Sequence, residues 1–178
     1  ANNIPIHIDK PFSETMHDLV RICETSKELG SKYVRIFSFY PPNGDDGRQD
    51  DYVQESIDRL GEMADLAEKY EIKLILENEI GVVGDTPERC HVLLQGVDRP
   101  SLRFVWDTAN FAVVGIQKSV EQGWELLAPY IDYVQIKDYK LSYRKIVPAG
   151  EGDGQVGLLL SKLRDRGYRG VLALEPHL

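Results

Sequence analysis

The sequence predicts an α/β fold in which helices cover a parallel sheet. Two observations carry this. Short apolar segments of strand length alternate along the chain with segments of helical period. The strand segments are apolar on both faces, as strands buried between helices must be, rather than alternating apolar and polar. A third observation bounds the count: no linker or low-complexity tract divides the 178 residues, enough for one domain with a sizeable core.

The elements follow in order. Ser13 to Leu29 places Met16, Leu19, Val20 and Cys23 at helical spacing, and Gly30 stops the helix. "YVRIFSFY" (33–40) is rich in β-branched and aromatic residues and reads as a strand. "PPNGDDGRQDD" (41–51) is a loop by its Pro, Asn, Gly and Asp content, long enough to suggest a functional one. Val53 to Tyr70 is a helix with Ile57, Leu60, Met63, Ala64 and Leu66/Ala67 on one side. "IKLILE" (72–77) is the next strand. Thr86-Pro87 supplies an N-cap and a first-turn proline for a helix to about Gln95. "LRFVWD" (102–107) is a strand. Ser119, with Gln122 three residues on, predicts a capping box for a helix to about Ala128. "IDYVQIKD" (131–138) is a strand, "KIVP" (145–148) a short one, "QVGLLLSKLRDRG" (155–167) a helix ended by Gly167, and "GVLALE" (170–175) the last strand.

Composition narrows the function. The net charge of -8 argues against nucleic acid as a partner, because such binding rests on basic patches that neutralise phosphates. No apolar run approaches the length of a membrane span, and "ANNIPIHIDK" has no signal-peptide pattern. The two cysteines, Cys23 and Cys90, each sit inside a helical pattern, so free thiols and a cytoplasmic location are expected.

The polar residues at the strand ends are the chemical signal. Glu77 closes its strand and is followed by Asn78 and Glu79. Asp107 closes the next, Gln135, Lys137 and Asp138 the one after, and Glu175 the last. In a parallel α/β sheet these ends lie on one side, where sites are built. One acid at a strand end is ordinarily a cap or a loop partner. Four strands that all end in a ligand-type side chain point instead to a metal centre of Glu77, Asp107, Gln135 and Glu175. Three converging carboxylates require a cation or bound protons, and an oxygen-rich set suits Mn²⁺ or Mg²⁺ better than Zn²⁺. Asn78, Glu79 and Asp138 are expected outside the ligand set.

Other motifs weigh less. "GDGQVG" (152–157) matches the dinucleotide fingerprint G-x-G-x-x-G, but Glu151 and Asp153 would face a pyrophosphate and no second half follows. A loop and helix N-terminus that grip a sugar hydroxyl or a phosphate is the favoured reading. His91 reads as structural, and His7 and His17 are undecided. His177, two residues past Glu175, would orient that acid, touch substrate or simply be exposed.

Taken in order, "RIFSFY", "ILENE", "GDTPERC", "WDTANF", "YVQIKDY", "VPAGEGDG" and "LEPHL" resemble the sugar phosphate isomerase/epimerase family with the xylose-isomerase-like TIM barrel. The resemblance implies a parallel (β/α) barrel and a metal held by Glu, Asp, His and Glu, which fall here on Glu77, Asp107, Gln135 and Glu175. Gln135 stands where most relatives have His, as in the hydroxypyruvate isomerase branch. Asn110, in "DTAN", replaces a residue that helps hold the metal cluster of the related apurinic endonucleases, which argues against DNA repair. Such barrels usually need about 250 residues. The strands fit the third to eighth units, so the expectation is a single N-terminally truncated domain over residues 1–178 with about six of the eight strands. "ANNIPIHID" would be the tail of the loop after a second strand. Raw strand edges would invite pairing, so a homo-oligomer is expected, with the edge at Tyr33–Phe39 covered from outside the chain.

The resemblance implies a metal-dependent isomerase or epimerase acting on a sugar or small hydroxy-carbonyl compound through an enediolate. Glu77 and Glu175 would move the proton, Asp107 and Gln135 would serve as ligands only, and Arg35, Lys137 and His177 would contact substrate. A non-catalytic barrel fragment and an inositol-type dehydratase are the alternatives.

Overall fold

The computed structural model describes residues 7–43 and 45–177. Along the chain run α1 (Phe12–Glu28), β1 (Tyr33–Phe37), α2 (Val53–Lys69), β2 (Lys73–Glu77), α3 (Pro87–Val97), β3 (Leu102–Asp107), α4 (Asn110–Val113), α5 (Ser119–Leu127), β4 (Ile131–Ile136), β5 (Asp138–Lys140), β6 (Lys145–Val147), α6 (Val156–Asp165) and β7 (Val171–Leu174). The main sheet has the order β1-β2-β3-β4-β7, with every pair parallel. It is a curled part of a (β/α) barrel, as the sequence predicts.

Register explains why the strand ends meet. Phe37 pairs with Glu77, Glu77 with Val105, Asp107 with Gln135, and Ile136 with Leu174. All C-terminal ends therefore open on one side. The core beneath them is built from Leu74 and Leu76 of β2, Phe104 and Trp106 of β3, and Leu19, Leu60, Met63 and Leu93 of the covering helices, all buried. Close-packed apolar strands of this kind fix the height of each terminal side chain to within a residue.

Four local readings are corrected. The 145–148 strand does not join the main sheet: β6 pairs antiparallel with β5, Asp138 opposite Val147. The fourth main strand stops at Ile136 and the chain turns away at Asp138, so the main sheet has five strands among the described residues where about six were expected. The capping box at Ser119 does not form. Instead the Gln155 side-chain oxygen accepts from the backbone N–H of Val120 at 2.9 Å and of Glu121 at 3.4 Å. Gln155 reaches there from a left-handed backbone position, φ 54°, just before α6. The short α4 has too few residues to show a period and was not predicted.

The glycine-rich loop is the fourth correction. The Asp138 carboxylate accepts from the backbone N–H groups of Gly150 (2.8 Å), Gly152 (3.0 Å) and Gly154 (3.0 Å). A Cβ on Gly152 would lie 2.2 Å from Asp138 Oδ1, and one on Gly154 would lie 2.1 Å from the Thr108 carbonyl oxygen. The G-x-G spacing exists because the loop wraps a buried carboxylate. The amides of Gly150, Gly152 and Gly154 are engaged with Asp138 and those of Glu151 and Asp153 with the Pro148 and Tyr139 carbonyls, so these five are not offered to a hydroxyl or phosphate.

The two sides of the sheet differ. On β1, Val34 and Ile36 are buried, as is Phe39 beyond its end. Tyr40 makes a single parallel bridge to His7, and the N–H of Ile8 donates to the Tyr40 carbonyl at 3.0 Å. Residues 1–6 of the expected loop tail lie outside the described residues. At the other side, β7 exposes Val171, Leu172 and Leu174, the last at 76%. Both β1 and β7 are edge strands of the sheet, and of the two β7 is the barer. Among the described residues no helix is long and apolar enough to cross a membrane.

Candidate metal centre

Glu77, Asp107 and Glu175 each bring one carboxylate oxygen to within 4.8 Å of the others. Glu77 and Asp107 are almost fully buried, at 1% and 0% exposure. Gln135 joins them at the end of β4, and Glu175 follows β7 directly, where its N–H donates to the Ile136 carbonyl at 3.1 Å. The four residues singled out in the sequence therefore meet.

Asp107 is held most firmly. Its Oδ1 accepts from the backbone N–H groups of Ala109 (2.8 Å) and Asn110 (2.9 Å). Asn78 clamps its backbone from the neighbouring strand: the Asn78 oxygen accepts from the Asp107 N–H at 2.8 Å, and the Asn78 amide donates to the Asp107 carbonyl at 3.1 Å. Asn110 in turn donates to the Asn78 carbonyl at 2.8 Å. Thr108 ties β3 to β4, accepting from the Lys137 N–H at 3.0 Å and donating to the Lys137 carbonyl. Asn78 stands just outside the proposed ligand set, as expected, while Thr108 and Asn110 were not predicted in supporting roles. Their signal was the short polar runs "EN" and "DTAN" after apolar strands.

Two cations stand against the acids. Arg35 donates to Glu77 Oε2 at 2.9 Å and lies 3.7 Å from Glu175 Oε1. Lys137 Nζ lies 3.0 Å from Asp107 Oδ2 and 3.3 Å from Glu175 Oε2. Turned so that its NH₂ faces Glu77, the Gln135 amide donates to Glu77 Oε1 at 2.8 Å, and its oxygen accepts from Arg35 at 3.3 Å. His177 Nε2 is 3.8 Å from Glu175 Oε1 and its side chain is largely exposed.

The electrostatics follow from burial. Desolvation pushes the Glu77 carboxyl up to about 8 despite the Arg35 guanidinium beside it. Burial likewise raises Asp107, against the opposing pull of Lys137. For Lys137, burial favours the neutral amine, but Asp107 and Glu175 outweigh it and hold the ammonium above its ordinary range. Three acids in this space are costly without more positive charge.

The residues fit a divalent cation. Asp107 Oδ2 is buried and has no hydrogen bond of good geometry, only the ion pair with Lys137. Its partner oxygen takes both backbone amides, which leaves Oδ2 as the atom that could face a cation. Three carboxylates and an amide oxygen make a hard donor set.

Fold and site together define a (β/α)-barrel protein with a carboxylate-rich centre at the C-terminal ends of its strands. The chain belongs to the xylose isomerase-like TIM barrel family, whose model matches residues 4–177. It is 25% identical to the inosose isomerase of Bacillus subtilis over 94% of its length, covering 62% of that protein. A relative from Methanocaldococcus jannaschii is covered to 64%, so the chain spans a little over three-fifths of the curated relatives it matches. Among solved structures, the IOLI protein with a bound zinc atom superimposes with a TM-score of 0.78 at 24% identity, over 97% of this chain and 64% of that one. The probable 3-DHS dehydratase AsbF of Bacillus anthracis does so with 0.77 at 20% identity, over 98% and 68%. At these identities the structural likeness speaks for the fold.

Proposed function

We propose that the chain carries the centre of a metal-dependent isomerase or epimerase that moves a proton on the carbon next to a carbonyl, in a sugar or small hydroxy-carbonyl compound. The observation that carries this reading is the convergence of Glu77, Asp107 and Glu175 within 4.8 Å at the ends of three parallel strands. The inosose isomerase relative supports the reaction class.

A divalent ion, Mn²⁺ or Mg²⁺ by the hardness of the donors, would supply Lewis acidity toward the substrate oxygens. Asp107 would hold it through Oδ2, with Gln135 turned to present its oxygen. Glu77 and Glu175 remove the proton and return it through an enediolate. A positioned base of this kind is worth about 10²–10⁴-fold. The buried floor under Glu77 excludes water from its side of the reaction, while Glu175 stands at the open side.

The test is metal-dependent exchange of a substrate C–H with deuterated solvent across a panel of ketoses. Glu77→Gln and Glu175→Gln should each abolish exchange while lowering Mn²⁺ affinity less than Asp107→Ala does, because an amide keeps an oxygen donor but cannot take the proton. Near-normal exchange in either variant removes that residue from the base role. A chain that binds no divalent ion is a non-catalytic barrel fragment. One that releases water from an inosose is a dehydratase.

A further inference from the structure

We infer that Asp138 is a positioning residue for Gln135: acting through Thr108, it fixes the backbone at the end of β4 and so aims the one amide of the centre at the ion. This rests on the metal-centre reading above and extends it to residues that do not face the ion.

Gln135 is the member of the set that most needs aiming. A carboxylate presents two equivalent oxygens, so a turned Glu or Asp still offers a donor atom. An amide presents one oxygen and, on its other side, an NH₂ that donates hydrogen bonds and binds no cation. With that NH₂ toward Glu77 Oε1 at 2.8 Å, the Gln135 oxygen lies 3.3 Å from Arg35. The oxygen has to come round to reach an ion, and a fixed backbone makes that turn end in one place.

Thr108 holds the backbone on both sides of the Gln135–Lys137 turn. Its N–H donates to the Gln135 carbonyl at 3.2 Å. Its hydroxyl accepts from the Lys137 N–H at 3.0 Å and donates to the Lys137 carbonyl. Thr108 is buried, and Gly154 lies against it so closely that a Cβ there would be 2.1 Å from the Thr108 carbonyl oxygen.

Gly154 is placed in turn by Asp138. Oδ1 of that carboxylate accepts from the N–H groups of Gly154 (3.0 Å) and Tyr139 (2.9 Å), and Oδ2 from those of Gly150 (2.8 Å) and Gly152 (3.0 Å). Four amides on one buried carboxylate are charge-assisted bonds and hold the loop in a single shape. Every link from Asp138 through Gly154 and Thr108 to Gln135 is backbone or a buried threonine. A displaced loop therefore reaches β4 and is not absorbed by a flexible side chain. Asparagine has nearly the shape of Asp138, but it accepts at one oxygen only, and its NH₂ would point at two N–H donors. Half of the anchors would be lost.

The experiment is a double-mutant cycle on Mn²⁺ affinity, read from the loss of the free-ion EPR signal during titration. Asp138→Asn should weaken Mn²⁺ binding by about 10–100-fold in the parent chain, the scale for a residue that orients a metal ligand. In the Gln135→Ala chain, which has no amide to aim, the same substitution should change it by no more than about twofold. Thr108→Val removes the hydroxyl and no charge, and it should show the same dependence on Gln135. Thr108→Ser keeps the hydroxyl and should restore the parent affinity. The two Thr108 variants decide the matter if Asp138→Asn does not fold. Equal losses in both backgrounds mean that the loop supports the fold as a whole, and overturn the inference. So does an unchanged affinity in both Asp138→Asn and Thr108→Val, or a Gln135→Ala chain that binds Mn²⁺ as tightly as the parent. In each of these cases the three-carboxylate centre stands. A parent chain that binds no Mn²⁺ removes both.

Discussion

The centre has two unlike halves. Glu77 and Asp107 end β2 and β3, strands with a neighbour on each side and helices over them, and both residues are almost fully buried. Glu175 ends β7, whose Val171, Leu172 and Leu174 lie largely in solvent. Asp107 is fixed by backbone amides and by the Asn78 clamp, whereas among the described residues the Glu175 carboxylate faces Arg35 and Lys137, with His177 at 3.8 Å. The difference teaches that an acid's rigidity comes from the packed strand and the backbone hydrogen bonds around it, not from the carboxylate itself. The buried half sets where an ion would sit. The open half supplies the group that can move.

The comparison can be broken most directly through the core. Leu76→Ala removes a fully buried side chain one residue before Glu77 and should destabilise the chain by about 2–5 kcal/mol in urea unfolding. A cost below that range would show that β2 is less rigid than its packing implies.

The next effect is electrostatic and belongs to the buried half. The Glu77 carboxyl is raised from its ordinary 4.5 to about 8. Between those values the folded chain holds a proton that the unfolded chain has released. Without metal, stability is therefore greatest at the acid side of this window for this group, and it falls as pH rises from about 4.5 toward 8, by at most about 1.4 kcal/mol per pH unit. Denaturant midpoints across that range measure it. Glu77→Gln should flatten the slope, and a divalent ion should offset it near pH 8. A stability that rises through the window would contradict a desolvation of Glu77 that outweighs its pairing with Arg35.

The smallest effect sharpens the contrast from the other side. Leu174→Ala, at a residue 76% exposed, should change unfolding free energy by no more than about 0.5 kcal/mol. A loss comparable with that of Leu76→Ala would mean that β7 is covered in solution.

Much of this architecture is legible along the chain. β3 runs over the residues read as a strand, and the Thr86-Pro87 helix start is present, with Thr86 Oγ1 accepting from the Arg89 N–H at 3.3 Å. These succeed because periodicity, caps and β-branched runs act within a few residues. The capping box at Ser119 failed because the helix starts one residue earlier than that motif needs: Lys118 is the N-cap and Ser119 the first helical residue, and Gln155, from far along the chain, accepts from the Val120 N–H. The glycine spacing at 152–157 matched a fingerprint whose physical cause here is different, a buried Asp138 carboxylate that leaves no room for a Cβ.

The sequence by itself determined the strand–helix alternation and the identities of the residues at the strand ends, and through register it brought Glu77, Asp107, Gln135 and Glu175 to one side of the sheet. A side-chain period of two and parallel pairing leave little freedom there. Only the tertiary structure decided which cation faces which acid, which Asp107 oxygen is left without a hydrogen bond, how the Gln135 amide is turned, and why one half of the centre is rigid and the other open. Those outcomes depend on contacts between residues such as Arg35 and Glu77, or Lys137 and Glu175, 42 and 38 positions apart. Burial and pairing energies act through space at such sites, and no local pattern records them.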